Sequence, residues 1–163
     1  MKISKTKLRE VKAIFFDFDG VFTDNKVLLC EDGKESVICS REDGMGIGLL
    51  EKIGLLKFII SSEVNPVVST RAKKLQIPCE QAVKNKAQVI QKICKRNQIT
   101  AKNIIYVGND INDIDAFAIA GISIAVNDSH NDVFQHVDYV TTKNGGNGAV
   151  REICDLLYYS REK

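Results

Sequence analysis

Residues 11–24 of the chain read VKAIFFDFDGVFTD, a mostly apolar run that ends abruptly at two closely spaced carboxylates. The run Val11–Phe16 is short and apolar on both faces, which predicts a buried strand. Asp17 and Asp19 follow it two residues apart, so we expect both to point into the same space. Two carboxylates this close repel each other unless a cation or a proton separates them. A Mg²⁺ ion fits this place, because it prefers carboxylate oxygens and keeps several waters.

Two further apolar runs end in polar residues in the same way. Leu55–Ile60 is followed by Ser61, and Ile104–Val107 is followed by Gly108 and then Asn109-Asp110. Strands that are apolar on both faces and alternate with helical segments are typical of a parallel sheet in an α/β fold. Functional sites in such folds lie at the carboxyl ends of the strands. The polar residues after the three runs are therefore predicted to meet in one crevice.

The remaining elements follow from hydrophobic period and turn residues. The predicted helices are Gly46–Ile53, residues 66–75 with Asn65 as N-cap, Lys86–Asn97, residues 111–120 and a closing helix that includes residues 150–157. The predicted strands are Ile77–Cys79, Ile122–Val126 and Tyr139–Thr141, with a small hairpin formed by Val27–Leu29 and Ser36–Cys39. The expected fold is a Rossmann-like parallel sheet with flanking helices.

Length and composition favour a single domain over residues 1–163. The chain is 44% hydrophobic, so it can bury a core of its own. Its net charge is +2 and no basic cluster stands out, which argues against a nucleic-acid partner. No stretch could span a bilayer, and the apolar run after the Lys-rich start is too short for a signal core. We therefore predict a cytoplasmic protein with no membrane partner.

The five cysteines are scattered along the chain, and no two of them stand at Cys-x-x-Cys spacing. Their number is odd, so neither a disulfide framework nor a zinc site is expected. Such cysteines act mostly as small apolar residues in a reducing compartment.

The segment Asp17–Asp24 resembles the first motif of the haloacid dehalogenase superfamily. The resemblance implies that Asp17 attacks phosphorus and that Asp19 protonates the leaving oxygen and later activates water. It also implies that Asp17 and the backbone carbonyl of Asp19 hold Mg²⁺. The alternative is a capped loop with two solvated aspartates, but this string directly after an apolar strand favours the functional interpretation.

Two more segments resemble motifs of the same superfamily. Ser61 ends a run similar to the second motif, whose hydroxyl donates a hydrogen bond to a phosphoryl oxygen. Lys86 opens a helix as the third-motif lysine does, and its ammonium would offset charge on Asp17 and on the phosphoryl group. Lys84 stands two residues earlier, but the spacing of the superfamily favours Lys86.

The segment Tyr106–Asp113 resembles the fourth motif, with one departure. The superfamily pattern has a magnesium-binding Asp directly after the Gly, whereas this chain has Asn109. An amide oxygen can still ligate Mg²⁺, but the site loses one negative charge. We expect Asn109 to be a direct ligand, with Asp110 as a second candidate and Asp113 in close support. Helix capping by this Asn/Asp-rich segment is compatible with that role.

The chain has no room for a cap domain between the first two motifs, where only the hairpin and one helix are expected. It resembles, over nearly its whole length, the capless phosphatases that act on 3-deoxy-manno-octulosonate 8-phosphate and on nonulosonate 9-phosphates. Further segments that carry the resemblance are Arg41–Ile47 and Gly145–Glu152. The resemblance implies a sugar-acid phosphate as substrate and a homotetramer in which neighbours close each other's sites. The backbone N–H groups of Gly145 and Gly146 could meet an anion there.

The residues that contact the sugar acid are taken from this resemblance. Glu63 stands where the octulosonate enzymes usually have Arg, which is closer to the nonulosonate-type members. Arg71 and Lys74 match basic positions that help to bind the sugar acid, although both fit a solvated helix face as well. Asp43, placed in the predicted Arg41–Ile47 loop, is a further candidate.

Three functions remain open from the sequence. The first is a phosphatase that forms an aspartyl-phosphate, favoured by Asp17, Asp19, Ser61 and Lys86. The second is a catalytically weak binding or oligomerisation module, similar to the phosphatase-like domain of some acylneuraminate cytidylyltransferases and motivated by Asn109. The third is phosphoryl transfer within a sugar, which the lack of a mobile cap disfavours.

Overall fold

The computed structural model describes residues 3–162 of the chain. The helices are α1 (Lys5–Arg9), α2 (Arg41–Lys52), α3 (Val67–Leu75), α4 (Lys86–Arg96), α5 (Ile114–Ile119) and α6 (Ala149–Arg161). The strands are β1 (Ala13–Phe16), β2 (Leu28–Leu29), β3 (Glu35–Ser36), β4 (Leu56–Ile60), β5 (Cys79–Glu80), β6 (Ile104–Gly108), β7 (Ile122–Ala125) and β8 (Tyr139–Val140). Short 3₁₀ turns cover Ala101–Asn103, Ile111–Asp113 and Asn131–His136.

Six strands form one parallel sheet in the order β5-β4-β1-β6-β7-β8. The central strand β1 pairs with β4 on one side and β6 on the other, with Phe16 opposite Ile59 and Val107. All four residues of β1 are buried, as are all five of β6. This is the pattern of strands covered by helices on both faces. The parallel register brings the carboxyl ends of β1, β4 and β6 to the same edge.

Successive residues of β1 face opposite layers of the core. Ile14 and Phe16 pack in the layer that holds the buried faces of α2, α3 and α6. Ala13 and Phe15 pack in the other layer, with α4 and α5. The predicted α/β fold with helices on both faces is therefore confirmed. The predicted small hairpin is present as the antiparallel pair β2–β3, and no cap domain interrupts the described residues.

Helix α2 starts five residues before the predicted Gly46, so the expected Arg41–Ile47 loop was wrong. The side chain of Ser40 caps the helix by accepting a hydrogen bond from Glu42 N at 3.1 Å. Glu42 and Asp43 occupy the first turn, where acidic side chains suit the helix dipole. Three glycines within α2 lower its helix propensity, so the sequence pattern did not indicate that the helix begins at Arg41.

All five cysteines are free thiols, as expected from their spacing. Between residues 3 and 162 no helix has the length and apolar character that a membrane crossing requires.

Candidate active site

A cavity of about 300 Å³ opens where the predicted polar residues meet, at the carboxyl ends of the central strands. Its lining includes residues that follow β1, β4 and β6, and these are Asp17, Asp19, Asn25, Ser61, Ser62, Asn109, Asp110, Ile111 and Asn112. The convergence follows from the parallel register, which places the three strand ends side by side. Asp17, Asp19, Ser61, Asn109 and Asp110 are thus brought together as the sequence predicted.

Lys86 lies beneath this cavity and joins two carboxylates. Its Nζ is 2.8 Å from Asp17 Oδ2 and 2.6 Å from Asp113 Oδ1. The lysine is only 4% exposed, although it stands at the first residue of α4. Asn85 caps that helix by accepting a hydrogen bond from Gln88 N, which fixes the start of α4 and so the position of Lys86. Lys84 is exposed, so the choice of Lys86 as the lysine beside Asp17 agrees with the structure.

Asp113 is completely buried and uses both carboxylate oxygens. Oδ1 accepts hydrogen bonds from Lys86 Nζ and, at 2.5 Å, from the Tyr106 hydroxyl. Oδ2 accepts the backbone N–H groups of Asn109 at 2.8 Å and Asp110 at 3.1 Å. Asp113 therefore holds the Asn109-Asp110 turn in place and is not itself open to the cavity. Lys86, Asp17, Asp113 and Tyr106 form what we call the buried charge cluster.

Burial and the nearby charge of Asp113 raise the pKa of Asp17 to about 7, despite the opposing effect of Lys86. Burial disfavours the charged form of Lys86, but Asp17 and Asp113 outweigh it and raise the lysine's pKa. Two buried carboxylates beside one ammonium leave an excess of negative charge. A cation next to Asp17 would remove this excess.

Asp19 is half-buried at the cavity wall. Burial raises its pKa, and the negative charges of Glu63 and Glu35 raise it further, against the effect of Lys86. A carboxyl with a raised pKa holds a proton more readily near neutral pH, which suits a general acid. The turn that follows is fixed by Thr23, whose Oγ1 accepts the N–H of Gly20 at 3.0 Å.

Ser61 is buried directly after β4 and lines the cavity. Its Oγ accepts the backbone N–H of Glu63 at 3.1 Å. Within residues 3–162 the hydroxyl donates to no acceptor, so its proton is available to an oxygen placed in the cavity.

Asn109 is 5% exposed, and its side-chain oxygen has no hydrogen-bond partner among the described residues. Gly20 lies against the amide so closely that a Cβ there would overlap Nδ2. A buried acceptor left without a donor is unfavourable and calls for a ligand or water. An amide oxygen aimed at a crevice that also holds two carboxylates fits a hard divalent cation such as Mg²⁺. Asp110, by contrast, turns Oδ1 toward its neighbour Ile111 N at 2.7 Å.

No group of three or more His, Cys, Asp or Glu side chains in the described part of the chain is arranged to hold a metal. Asp17, Asp19 and Asn109 bring two carboxylates and an amide instead. The oxygens present therefore suit a magnesium site with several retained waters better than a fully enclosed one.

The glycine-rich segment before α6 packs against the turn that follows Asp19. Gly145 donates its N–H to Asp128 Oδ1 at 2.9 Å, and Gly146 donates to Val21 O at 3.0 Å. A Cβ at Gly145 would overlap the carbonyl of Gly20, so this close approach requires glycine. The predicted anion-binding amides are thus already hydrogen-bonded within the chain, and they brace the first motif instead.

A family model described as haloacid dehalogenase-like hydrolase matches residues 54–153. The 3-deoxy-D-manno-octulosonate 8-phosphate phosphatase of Salmonella typhi is 32% identical over 97% of this chain and 85% of its own length. The chain belongs to the haloacid dehalogenase-like hydrolases. The prediction of a phosphatase of this superfamily is confirmed.

Solved structures agree with this family in fold. The phosphatase of the same name from Moraxella catarrhalis, in complex with magnesium ion, phosphate ion and KDO, has a TM-score of 0.92 at 31% identity, covering 96% of this chain and 90% of its own. A structure from Streptomyces avermitilis, assigned to the HAD hydrolase family without a stated substrate, has a TM-score of 0.88 at 42% identity, covering 90% and 84%. The predicted cofactor is the ion that the Moraxella phosphatase carries.

The remaining predicted substrate contacts of this family member lie outside the cavity. Asp43 is completely buried and accepts the N–H of Arg151 at 2.9 Å, so it caps the first turn of α6 rather than facing the crevice. Arg71 donates to the carbonyl of Ser40 at 2.8 Å. Glu63 turns Oε1 back to its own loop, accepting Val64 N at 2.6 Å and Asn65 N at 2.8 Å. Lys74 is exposed on α3.

The sequence did not indicate several residues of the site, and Tyr106 and Asn25 are two of them. Tyr106 lies in a strand predicted to be buried, yet its hydroxyl binds Asp113. A tyrosine inside an otherwise apolar buried strand needs a hydrogen-bond partner, and that was the available signal. Asn25 lines the cavity with a φ of 61°, a conformation that Asn tolerates better than most residues, but no pattern marked it.

Proposed function

We propose that the protein is a magnesium-dependent phosphomonoesterase that acts on a sugar-acid phosphate through an aspartyl-phosphate on Asp17. The observation that carries the proposal is the pairing of Asp17 with the buried Lys86 at 2.8 Å, directly beneath a cavity lined by Asp19 and Ser61. A nucleophile, a proton donor and a hydroxyl donor for the phosphoryl oxygens therefore lie together.

In the first half-reaction Asp17 attacks phosphorus while the bond from phosphorus to the sugar oxygen breaks. Asp19 gives its proton to that leaving oxygen, for which its raised pKa is suited. In the second half-reaction Asp19 takes a proton from water, whose oxygen attacks phosphorus and releases Asp17. Lys86 and the Ser61 hydroxyl are placed to stabilise the negative charge on the phosphoryl oxygens.

We place Mg²⁺ on Asp17, the backbone carbonyl of Asp19 and Asn109, with Asp113 fixing the turn that carries Asn109. The unpartnered oxygen of Asn109 supports this assignment. When bound, the ion offsets the charge of the carboxylates and of the phosphoryl group. Asp110 is a less favoured direct ligand, because one of its oxygens is held by Ile111 N.

For the substrate we favour 3-deoxy-D-manno-octulosonate 8-phosphate, with a nonulosonate 9-phosphate as the second candidate. The first is supported by a relative at 32% identity, spanning 97% of this chain, that is a 3-deoxy-D-manno-octulosonate 8-phosphate phosphatase. Glu63 in place of the usual Arg supports the second.

We also propose a homotetramer that completes each site with residues of a neighbour. The support is the hairpin beside the crevice, which leaves Leu28 and Leu29 about two-thirds exposed. Glu35, which pairs with Leu29 in this hairpin, accepts a hydrogen bond from Asn65, in the loop after β4, at 2.9 Å. A second chain seated on the hairpin would therefore lie at the rim of the cavity.

Phosphate release with Mg²⁺ tests the proposed function. The panel holds 3-deoxy-D-manno-octulosonate 8-phosphate, nonulosonate 9-phosphates and neutral sugar phosphates, with Asp17→Asn as control. We expect turnover that needs both Mg²⁺ and Asp17, with a sugar-acid phosphate as the best substrate. A neutral sugar phosphate as the best substrate would refute the substrate class. No turnover by folded protein would favour the binding-module function instead.

A further inference from the structure

A second cavity, of about 370 Å³, adjoins the first. The two cavities share Ser62 and Asn112 in their walls. Lys86, which pairs with Asp17, also lines the second one. A phosphomonoester with its phosphate at Asp17 must extend the rest of its structure away from the nucleophile, and this cavity is the adjacent space.

The wall between the two cavities is weak. Asn112 Nδ2 and Ser62 Oγ form a single hydrogen bond of 3.3 Å, and both residues are exposed. Because exposed polar groups exchange such a bond for bonds to water, breaking it has little net effect on free energy. A ligand with hydroxyl groups can replace the bond with its own contacts and occupy both cavities.

The backbone next to Ser61 is held firmly in place. Val83 N donates to Ser61 O at 3.0 Å, and Ala82 N donates to Glu63 O at 3.1 Å. Ala82 has a φ of 54°, a left-handed conformation that is unfavourable for alanine and persists only where the surroundings impose it. The two hydrogen bonds impose it here, so the residue after Val83 has a fixed place relative to the phosphoryl-binding Ser61.

That residue is Lys84, which lines the second cavity and is exposed. Its Cα is within about 7 Å of the Lys86 Cα, because two residues span no more than that. In the described chain, Lys84 forms no ion pair or hydrogen bond. Of the predicted sugar-acid contacts, Arg71 is engaged with Ser40 O and Glu63 is itself an anion. Lys74 is exposed on α3 and lines neither cavity. Lys84 is therefore a cation available beside the phosphate site.

We propose that the second cavity receives the carboxylate-bearing end of the substrate and that the Lys84 ammonium binds the carboxylate. The inference rests on the proposed function and assigns a specificity residue to it. Hydroxyl groups of the sugar acid meet Ser62 and Asn112, and its C–H surface packs on Ala82 and Val83. Lys84 thus separates sugar acids from neutral sugars, whereas Lys86 serves the phosphate common to both.

The test measures binding separately from turnover, in the full-length Asp17→Asn protein with Mg²⁺. Calorimetry compares 3-deoxy-D-manno-octulosonate 8-phosphate with the same compound reduced at its carboxylate to a hydroxymethyl group. We expect the acid to bind about fivefold more tightly than the reduced compound, the value of one partly exposed ion pair. Adding Lys84→Gln should abolish this preference, and Lys84→Glu should reverse it.

The matched control is Lys92→Gln, which removes the same charge from the exposed surface of α4. It should retain the preference for the acid. The inference is overturned if the Asp17→Asn protein binds acid and reduced compound equally, or if Lys84→Gln retains the preference. Turnover of the panel decides the proposed function by itself, so the two ideas can fail independently.

Discussion

The buried charge cluster and the β2–β3 hairpin are built in opposite ways. In the cluster, Lys86 and Asp113 are at most 4% exposed, and each carboxylate oxygen of Asp113 accepts hydrogen bonds. In the hairpin, Leu28 is 68% exposed, and Ile38, two residues after β3, is 76% exposed. The cluster makes its contacts inside one chain, whereas the hairpin presents apolar surface to water.

The difference indicates which steps of catalysis a single chain can supply. Burial makes each charge interaction in the cluster strong, because little water competes with it. Asp17 and Lys86 are therefore held together within a single chain. The exposed leucines of the hairpin give the isolated chain no buried contact, whereas in the proposed tetramer another chain would cover them. Under that proposal the charge cluster belongs to one chain, and the neighbour on the hairpin would screen the crevice from water.

The largest expected effect comes from breaking the cluster with Lys86→Ala. Two buried carboxylates then lose their cation, which should lower the free energy of unfolding by about 3 kcal/mol. Loss of the ammonium should also lower kcat by about 1000-fold. Urea unfolding and phosphate release measure the two effects. Lys92→Ala on the same helix is the matched control. If Lys86→Ala keeps more than a tenth of the parental kcat, the role of the cluster is contradicted.

A smaller effect is expected from Asn109→Asp, which adds a negative charge where the side-chain oxygen of Asn109 has no hydrogen-bond partner among the residues described. The Mg²⁺ concentration for half-maximal phosphate release should fall about tenfold, because a carboxylate holds the ion more strongly than an amide. Without Mg²⁺ the variant should melt at a lower temperature than the parent, since a further carboxylate then repels Asp17. Asn131→Asp makes the same change on an exposed turn and should alter neither value. An unchanged Mg²⁺ requirement would remove Asn109 from the proposed ligands.

Asp43→Asn tests a buried carboxylate that has no lysine paired with it in the described chain, unlike Asp17 and Asp113 in the cluster. Burial raises the pKa of Asp43 to about 6, against the N–H of Arg151 and the charge of Arg71. Because the carboxyl pKa of Asp43 is higher in the folded chain than in the unfolded chain, its contribution to stability is largest below the unfolded pKa, about 4. This contribution is lost as pH rises through about 6. Asn keeps an acceptor for Arg151 N without the charge. Urea unfolding should therefore find the variant more stable than the parent by about 1–2 kcal/mol at pH 8 and equal to it near pH 4.

Asp43→Ala completes that comparison, because it removes both the charge and the cap of α6. It should be less stable than Asp43→Asn at every pH by about 1 kcal/mol. If the parent has the larger free energy of unfolding at pH 8, the charge of Asp43 stabilises the folded chain and the prediction is wrong.

The smallest effect on the single chain is expected from the paired change Leu28→Ser and Leu29→Ser. Their side chains are exposed, so the free energy of unfolding of the monomer should change by no more than about 0.5 kcal/mol. Assembly should respond strongly. The parent is expected to sediment near four times 18.1 kDa and the variant as smaller species. A parent that sediments as a monomer would contradict the tetramer. The control is Lys26→Ser, which changes a residue just before the hairpin and keeps both leucines.

The sheet and its crevice were predictable because their signals are local. Val11–Phe16, Leu55–Ile60 and Ile104–Val107 are apolar on both faces, and each ends near a polar residue. A parallel order then forces those residues together. The same reasoning separated Lys86 from Lys84 only with the help of the superfamily spacing, since both stand before or at a helix start.

What the sequence did not predict depends on contacts between distant segments. Asp43 and Arg151 are far apart in the chain, and no local pattern shows that one caps the helix of the other. The same holds for Gly145, whose role depends on the carbonyl of Gly20. The start of α2 was missed for a different reason, because its glycines weaken the propensity signal although Ser40 supplies an N-cap.

The packing of Gly145 on Gly20 has a consequence for the order of events on the ribosome. The turn that follows Asp17 is synthesised early, but the backbone that closes on it is made only after β8. Synthesis runs at about 5–20 residues per second, so several seconds pass between the synthesis of Asp17 and that of Gly145. The first motif can therefore reach its final packing only after the segment before α6 has been synthesised.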